Sequence, residues 1–137
     1  MKNFIKAMLK AKVAYTAPEV GMRIYNHLDT KAGYKLSVQA SENHYCTPRE
    51  LVGLKYYEEY EIAIMQNGDF IYPDELKSFP RKDELDECHE GTIFAYVPVD
   101  LVEDLYNFLN TQEDKCRSDR KSHFKRLTAY NKHSEKQ

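Results

Sequence analysis

The dipeptide Asn67-Gly68 sits between two apolar runs in "YEIAIMQNGDFIY", and that arrangement is the strongest short-range signal for a two-residue β-hairpin. A chain with such a turn builds at least part of its core from antiparallel strands. The flanking patterns agree. Tyr60, Ile62 and Ile64 alternate with Glu59 and Glu61, which predicts one apolar and one charged strand face. Upstream, "YKLSVQAS" sets Tyr34, Leu36, Val38 and Ala40 against Lys35, Ser37, Gln39 and Ser41. Downstream, "GTIFAYVP" predicts a strand from Thr92 to Val97 with both faces apolar or aromatic, the pattern of a central strand.

Around these strands the period changes. Phe4, Ile5, Met8, Leu9 and Val13 recur at helical spacing over residues 3–14. "TAPE" then predicts a second helix, with Thr16 as N-cap and Pro18 and Glu19 in its first turn. Val20, Ile24, Tyr25 and Leu28 give it an apolar face. Pro98 closes the last strand and opens a helix carrying Val102, Leu105, Phe108 and Leu109. A final helix is expected over about 118–130, capped by Ser118, while "RKDELDECHE" reads as an exposed loop or a single helical turn. The expectation is one α+β domain over 1–137 with a largely antiparallel four- to five-stranded sheet. N-terminal helices occupy 1–29, the sheet 34–97, C-terminal helices 98–130, and a frayed tail 131–137.

Composition narrows the class. A chain of 137 residues can bury a core without disulfides or metal, and 42% apolar with 31% charged residues excludes a disordered chain. No apolar run approaches the roughly 18–20 residues that span a bilayer. The start, "MKNFIKAMLKAKVAY", interleaves Lys with apolar residues and reads as an amphipathic helix rather than a signal peptide. Cys46, Cys88 and Cys116 are odd in number and widely spaced, as free thiols in a reducing cytoplasm would be. The charges are segregated. Residues 1–114 hold 12 Lys and Arg against 20 Asp and Glu; residues 115–137 hold 8 against 2. Such a basic tail suits a phosphate-bearing partner or the acidic face of its own or a neighbouring subunit.

The chemistry-bearing residues concentrate in "SVQASENHYCTPRE", residues 37–50. His44 and Cys46 invite a nucleophile–base reading, but no glycine-rich oxyanion turn or cysteine-protease signature accompanies them; a small buried thiol beside a polar histidine is the plainer one. His44, Cys46, Cys88 and His89 lack the compact spacing of a zinc site, and no metal or cofactor is expected. The carboxylates of "YYEEYE" read as a solvated strand face, and five unclustered glycines make no phosphate loop. Binding remains. Arg49 follows the φ-restricted Pro48, and a guanidinium held that way suits a bidentate grip on phosphate. Tyr45, Tyr72, Phe94 and Tyr96 offer ring faces for a base, and 11 Tyr with no Trp favour wet stacking or plain strand filling equally. Gln39, Ser41, Asn43 and His44 offer short polar contacts. A solvated turn with core aromatics stands beside that reading.

The string "SVQASENHYCTPRE", the strand "YYEEYEIAI" and "GTIFAYVPVDLVEDL", together about residues 34–109, resemble the first type of the Thoeris anti-defence sponge family of phage proteins. The resemblance implies a non-enzymatic protein of the infected bacterial cytoplasm. It would sequester cyclic ADP-ribose-type signals, and in some members cyclic oligonucleotides at separate sites. Long nucleic acids and membranes are not expected partners. It also implies a homo-oligomer with ligand pockets at subunit contacts. Residue by residue it carries over Gln39, Ser41, His44, Tyr45 and Arg49; Phe94 or Tyr96 as stacking partner, and Arg117 or Arg120 as basic clamps, are added from position. The long N-terminal segment and basic tail depart from smaller members. Two rivals stand beside it: an acidic protein-blocking inhibitor of the anti-CRISPR kind, and a small cyclic-nucleotide hydrolase acting through His44 and Cys46.

Overall fold

The computed structural model describes residues 1–111. Arg117, Arg120, the helix expected over 118–130 and the basic tail lie outside the described residues. Within them the chain begins with helix α1 (Asn3–Ala11), then strands β1 (Val13–Ala17), β2 (Met22–Tyr25), β3 (Leu28–Asp29) and β4 (Lys35–Gln39). Strands β5 (Glu59–Gln66) and β6 (Asp69–Phe70) follow, then helix α2 (Lys82–Glu87), β7 (His89–Glu90), β8 (Ile93–Pro98) and helix α3 (Val99–Thr111). The fold is mixed α+β. The main sheet runs β3-β4-β5-β8-β7 with β6 added to β5, and every pairing in it is antiparallel.

The Asn-Gly hairpin forms as its sequence requires. Gln66 pairs with Asp69 across Asn67 and Gly68, whose φ angles of 54° and 84° are both left-handed, the geometry of a type I′ turn. The alternation of β5 is equally plain: Tyr60, Ile62 and Ile64 are buried. Helices α1 and α3 pack on one another, and α3 packs on β5 and β8. The N-terminus of α1 is capped from across the chain, because the Glu103 carboxylate of α3 accepts the backbone N–H groups of Asn3 (3.0 Å) and Phe4 (3.1 Å). Both orphan donors and the positive helix end are satisfied by one anionic side chain.

The second N-terminal helix does not form. Helix α1 stops at Ala11, Lys12 turns to φ 71°, and residues 13–25 make the hairpin of β1 and β2. "TAPE" yields one 3-10 turn, Pro18–Val20, ended by Gly21 at φ 69°. A Cβ at Gly21 would collide with the Glu42 side chain. The β-branched and aromatic run "VAYT" on one side and "RIY" on the other favours a strand once a left-handed glycine is available between them. Thr16 therefore caps nothing and sits in β1; Leu9 and Val13, expected on the apolar helix face, are exposed.

The Gln39 side chain fastens the hairpin to β4. Gln39 Oε1 accepts the Tyr25 backbone N–H at 2.8 Å, and Gln39 Nε2 donates to the Tyr25 carbonyl at 2.9 Å and to Ser37 Oγ at 2.9 Å. A buried amide thus imitates a β-ladder rung. Replacing Gln39 by Met keeps the volume but leaves the Tyr25 N–H and C=O unpaired, so Gln39→Met is expected to cost about 2 kcal/mol. Urea unfolding checks this, with faster amide exchange confined to residues 22–25 marking the hairpin as the part released.

Candidate functional site

The loop between β4 and β5 carries most of the residues that the sequence singles out. Its backbone is closely tied down. Thr47 exchanges backbone hydrogen bonds with Glu58 and Glu59, its hydroxyl donates to Glu59 Oε1 at 2.7 Å, and the Thr47–Pro48 peptide is cis. Ser41 Oγ is buried, accepts the Asn43 N–H at 3.1 Å and lies 2.7 Å from His44 Nδ1. Glu61 Oε1 accepts the Tyr45 N–H at 2.9 Å, and the Tyr45 carbonyl accepts the Tyr96 N–H at 3.0 Å.

A second brace comes from residues with no sequence signal of their own. Arg23 of β2 donates through Nη2 to the Val52 carbonyl and to the Tyr57 hydroxyl, both at 2.8 Å, and its guanidinium lies over the Tyr25 and Tyr57 rings. The Tyr57 hydroxyl also accepts the Val52 N–H and donates to the Glu50 carbonyl. Arg23 falls inside the stretch that the sequence pattern predicts as a helix, and nothing there singles it out. Its partners lie about thirty residues away, beyond any local pattern.

The exposed product of this bracing is a short shelf. The Arg49 guanidinium carbon stands 5.4 Å from the Tyr45 ring centroid, and the Tyr45 and Tyr96 rings lie 5.9 Å apart, tilted by 34°. Tyr45 and Tyr96 are 42% and 41% exposed, enough to offer ring area to a ligand. Tyr96 reaches this position through a β-bulge. Tyr60 pairs with Val97 and Ile62 with Phe94, leaving an extra residue in β8, and Tyr96 takes φ 52°. Plain alternation would put Phe94 and Tyr96 on one face. The bulge instead buries Phe94 and Val97 together and turns Tyr96 outward.

The candidate residues therefore divide. Arg49, Tyr45, Tyr96 and the half-buried His44 come together at the loop surface. Gln39 and Ser41 are interior and committed to backbone and neighbouring groups, and Phe94 is a core ring stacked against His89 at 5.4 Å. These three support the shelf rather than line it. Tyr72 lies elsewhere, 4.9 Å from the His89 ring. A groove of about 280 Å³ is lined by Phe79, Arg81, Asp104 and Phe108 among others and contains none of the candidate residues. In it Arg81 is ion-paired with Glu84, Asp100 and Asp104.

The thiol and imidazole have settled roles. Cys46 is buried; its Sγ donates to the Ser41 and Pro48 carbonyls, and burial pushes its pKa up. That is the environment of an inert structural thiol. Among the described residues no group of three or more His, Cys, Asp or Glu is placed to hold a metal ion. No helix among them is long and apolar enough to cross a membrane. No protein-family model, curated protein or solved structure matches this chain.

Two measurements follow. Native iodoacetamide labelling read by peptide mass spectrometry is expected to leave Cys46 unmodified until denaturant is added. Burial, and secondarily the nearby Arg49 and Arg23 charges, hold the His44 pKa below its ordinary value, with Glu61 opposing them. The unfolded chain then takes up this proton first, so stability from His44 is complete above about pH 6.5 and declines as pH falls through that value. Urea unfolding is expected to show this loss, and His44→Gln to flatten it.

Proposed function

We propose that this chain is a non-catalytic binder of a phosphorylated purine-type small molecule, held uncleaved on the shelf of Arg49, Tyr45 and Tyr96. One observation carries the reading: a guanidinium and a half-exposed ring, on a loop whose backbone is fixed by Arg23, Tyr57 and Thr47, stand beside a second half-exposed ring, Tyr96 of β8. Base stacking contributes ~1–3 kcal/mol per ring, and a charged phosphate contact adds ~1.5–3 kcal/mol. His44 borders the shelf as a neutral hydrogen-bonding group. Cys46 offers no accessible nucleophile there, which suits retention over cleavage.

The resemblance of residues 34–109 to the Thoeris anti-defence sponges makes the specific form of this proposal a phage protein that sequesters cyclic ADP-ribose-type signals. The place would be the host cytoplasm, with assembly as a homo-oligomer and cyclic oligonucleotides as further candidate ligands. The carboxylates exposed on α2 and at the start of α3 favour a second reading, an inhibitor that blocks a protein partner. Incubating the protein with cyclic ADP-ribose isomers and cyclic oligonucleotides, removing free ligand by filtration and heating the protein separates the readings. Intact nucleotide released on heating supports sequestration. Altered nucleotide means an enzyme, and no retention leaves the protein-blocking reading ahead. Arg49→Ala is expected to weaken retention about tenfold, on the order of 1.4 kcal/mol; an unchanged affinity removes Arg49 from the site.

A further inference from the structure

We propose that the free edge of β1 is a self-association surface, on which two copies of this chain pair antiparallel about a two-fold axis. Strand β1, "VAYTA", contains no charge, proline or glycine, so the one edge-blunting device in its interior is the bulge between Val13 and Tyr15, which leaves Tyr15–Ala17 in regular register. One side of β1 bonds to β2, and among the described residues no strand pairs with the other. Apolar exposure gathers here as well. Of nine exposed large hydrophobic side chains among the described residues, Leu9, Val13, Tyr15 and Val20 belong to this hairpin and the helix end feeding it. Tyr15 and Val20 are 56% and 63% exposed, values a monomer has no reason to cluster.

Charge identifies the occupant. Lys10 and Lys12 precede the strand; Glu19 follows it, and Glu42 is held at the hairpin tip by its N–H bond to the Gly21 carbonyl. None of these four joins an ion pair among the described residues. The strand thus has a positive start and a negative end. Parallel alignment of two copies would set like charges together, whereas antiparallel alignment sets lysine end against glutamate end. A two-fold axis makes each such contact twice. Tyr15, at the middle of β1, then meets its own copy near the axis, where paired rings favour the contact. A foreign strand has no cause to carry this self-complementary pattern, and a second copy carries it by symmetry.

The test uses the full chain without nucleotide, so its outcome is independent of the ligand reading. Sedimentation velocity over a concentration series is expected to give a species of two chains, or a multiple of two. Hydrogen exchange should show β1 amides losing protection on dilution. Lys12→Glu and Glu19→Lys are each expected to weaken association about tenfold, since each converts two attractive contacts to repulsive ones. The double reversal Lys12→Glu with Glu19→Lys should restore it. Both side chains are exposed, and unchanged circular dichroism and Tm verify the fold. A single-chain mass at every concentration overturns the proposal. So does association that ignores the single reversals, a double variant no better than either single one, or protection that appears outside β1.

Discussion

The buried amide of Gln39 ties the β1–β2 hairpin to the main sheet, alongside the bonds that Arg23 and Val20 make with the loop. It joins the Tyr25 backbone to β4 from inside the protein, where no water can substitute. Because Tyr25 is fixed, Arg23 two residues earlier is fixed as well. Its guanidinium can then reach the Val52 carbonyl and the Tyr57 hydroxyl beneath the loop. That loop has no regular structure between the two strands apart from one 3-10 turn, yet it is held at Ser41, Thr47, Val52 and Tyr57. Ordering it by side chains from other elements removes the conformational freedom that a loop would otherwise lose on binding. The hairpin is therefore part of the site even though it contributes none of the shelf.

The bulge in β8 does a comparable job from the opposite side. A left-handed φ at a tyrosine is strained, and it persists here because both consequences are favourable. Phe94 and Val97 both enter the core, and the Tyr96 N–H is directed to the Tyr45 carbonyl. The loop and the sheet are thus joined by backbone at the place where their rings meet. Carboxylates are near. Glu59 and Glu61, predicted as a solvated strand face, instead accept from Thr47 and Tyr45. They spend their charge organising the loop, and the guanidinium of Arg49 stands on the Tyr45 ring rather than in an ion pair with them.

Legibility followed range. The Asn-Gly turn, the alternation of β5, the strand "YKLSVQAS" and the helix after Pro98 are set by neighbours in sequence, and each is present. The helix expected over 16–28 failed because its cap signal, Thr16 with Pro18 and Glu19, fits a 3-10 turn equally well, and Gly21 ended it. The apolar residues there satisfied a helical period only by coincidence of spacing. Within the site, polarity was legible but commitment was not. Nothing in "SVQAS" distinguishes a Gln39 that contacts ligand from one that pairs with Tyr25, since the partner lies fourteen residues away. The bulge was equally hidden, for "IFAYVP" alternates perfectly well without it. Arg23 shows the reverse failure: an ordinary strand residue acquires its role from distant carbonyls.

The geometry of the shelf sets a limit on what one chain can hold. Two rings at ~1–3 kcal/mol each and one charged phosphate contact at ~1.5–3 kcal/mol give a gross attraction of roughly 4–9 kcal/mol. Association itself costs an estimated 4 kcal/mol or more. The net is at most about 5 kcal/mol, a few tenths of millimolar at best, unless further contacts form, because one face of the ligand stays in water. The proposed sequestration would need far tighter holding, which a second wall closing over the ligand would supply. The tip of the β1–β2 hairpin touches this loop, with Asn43 Nδ2 donating to the Val20 carbonyl at 2.9 Å. Antiparallel pairing through β1 would bring the lysine end of another copy toward that tip. Added positive charge and water exclusion beside the shelf are what an open guanidinium–tyrosine surface lacks, so the two proposals meet at Asn43.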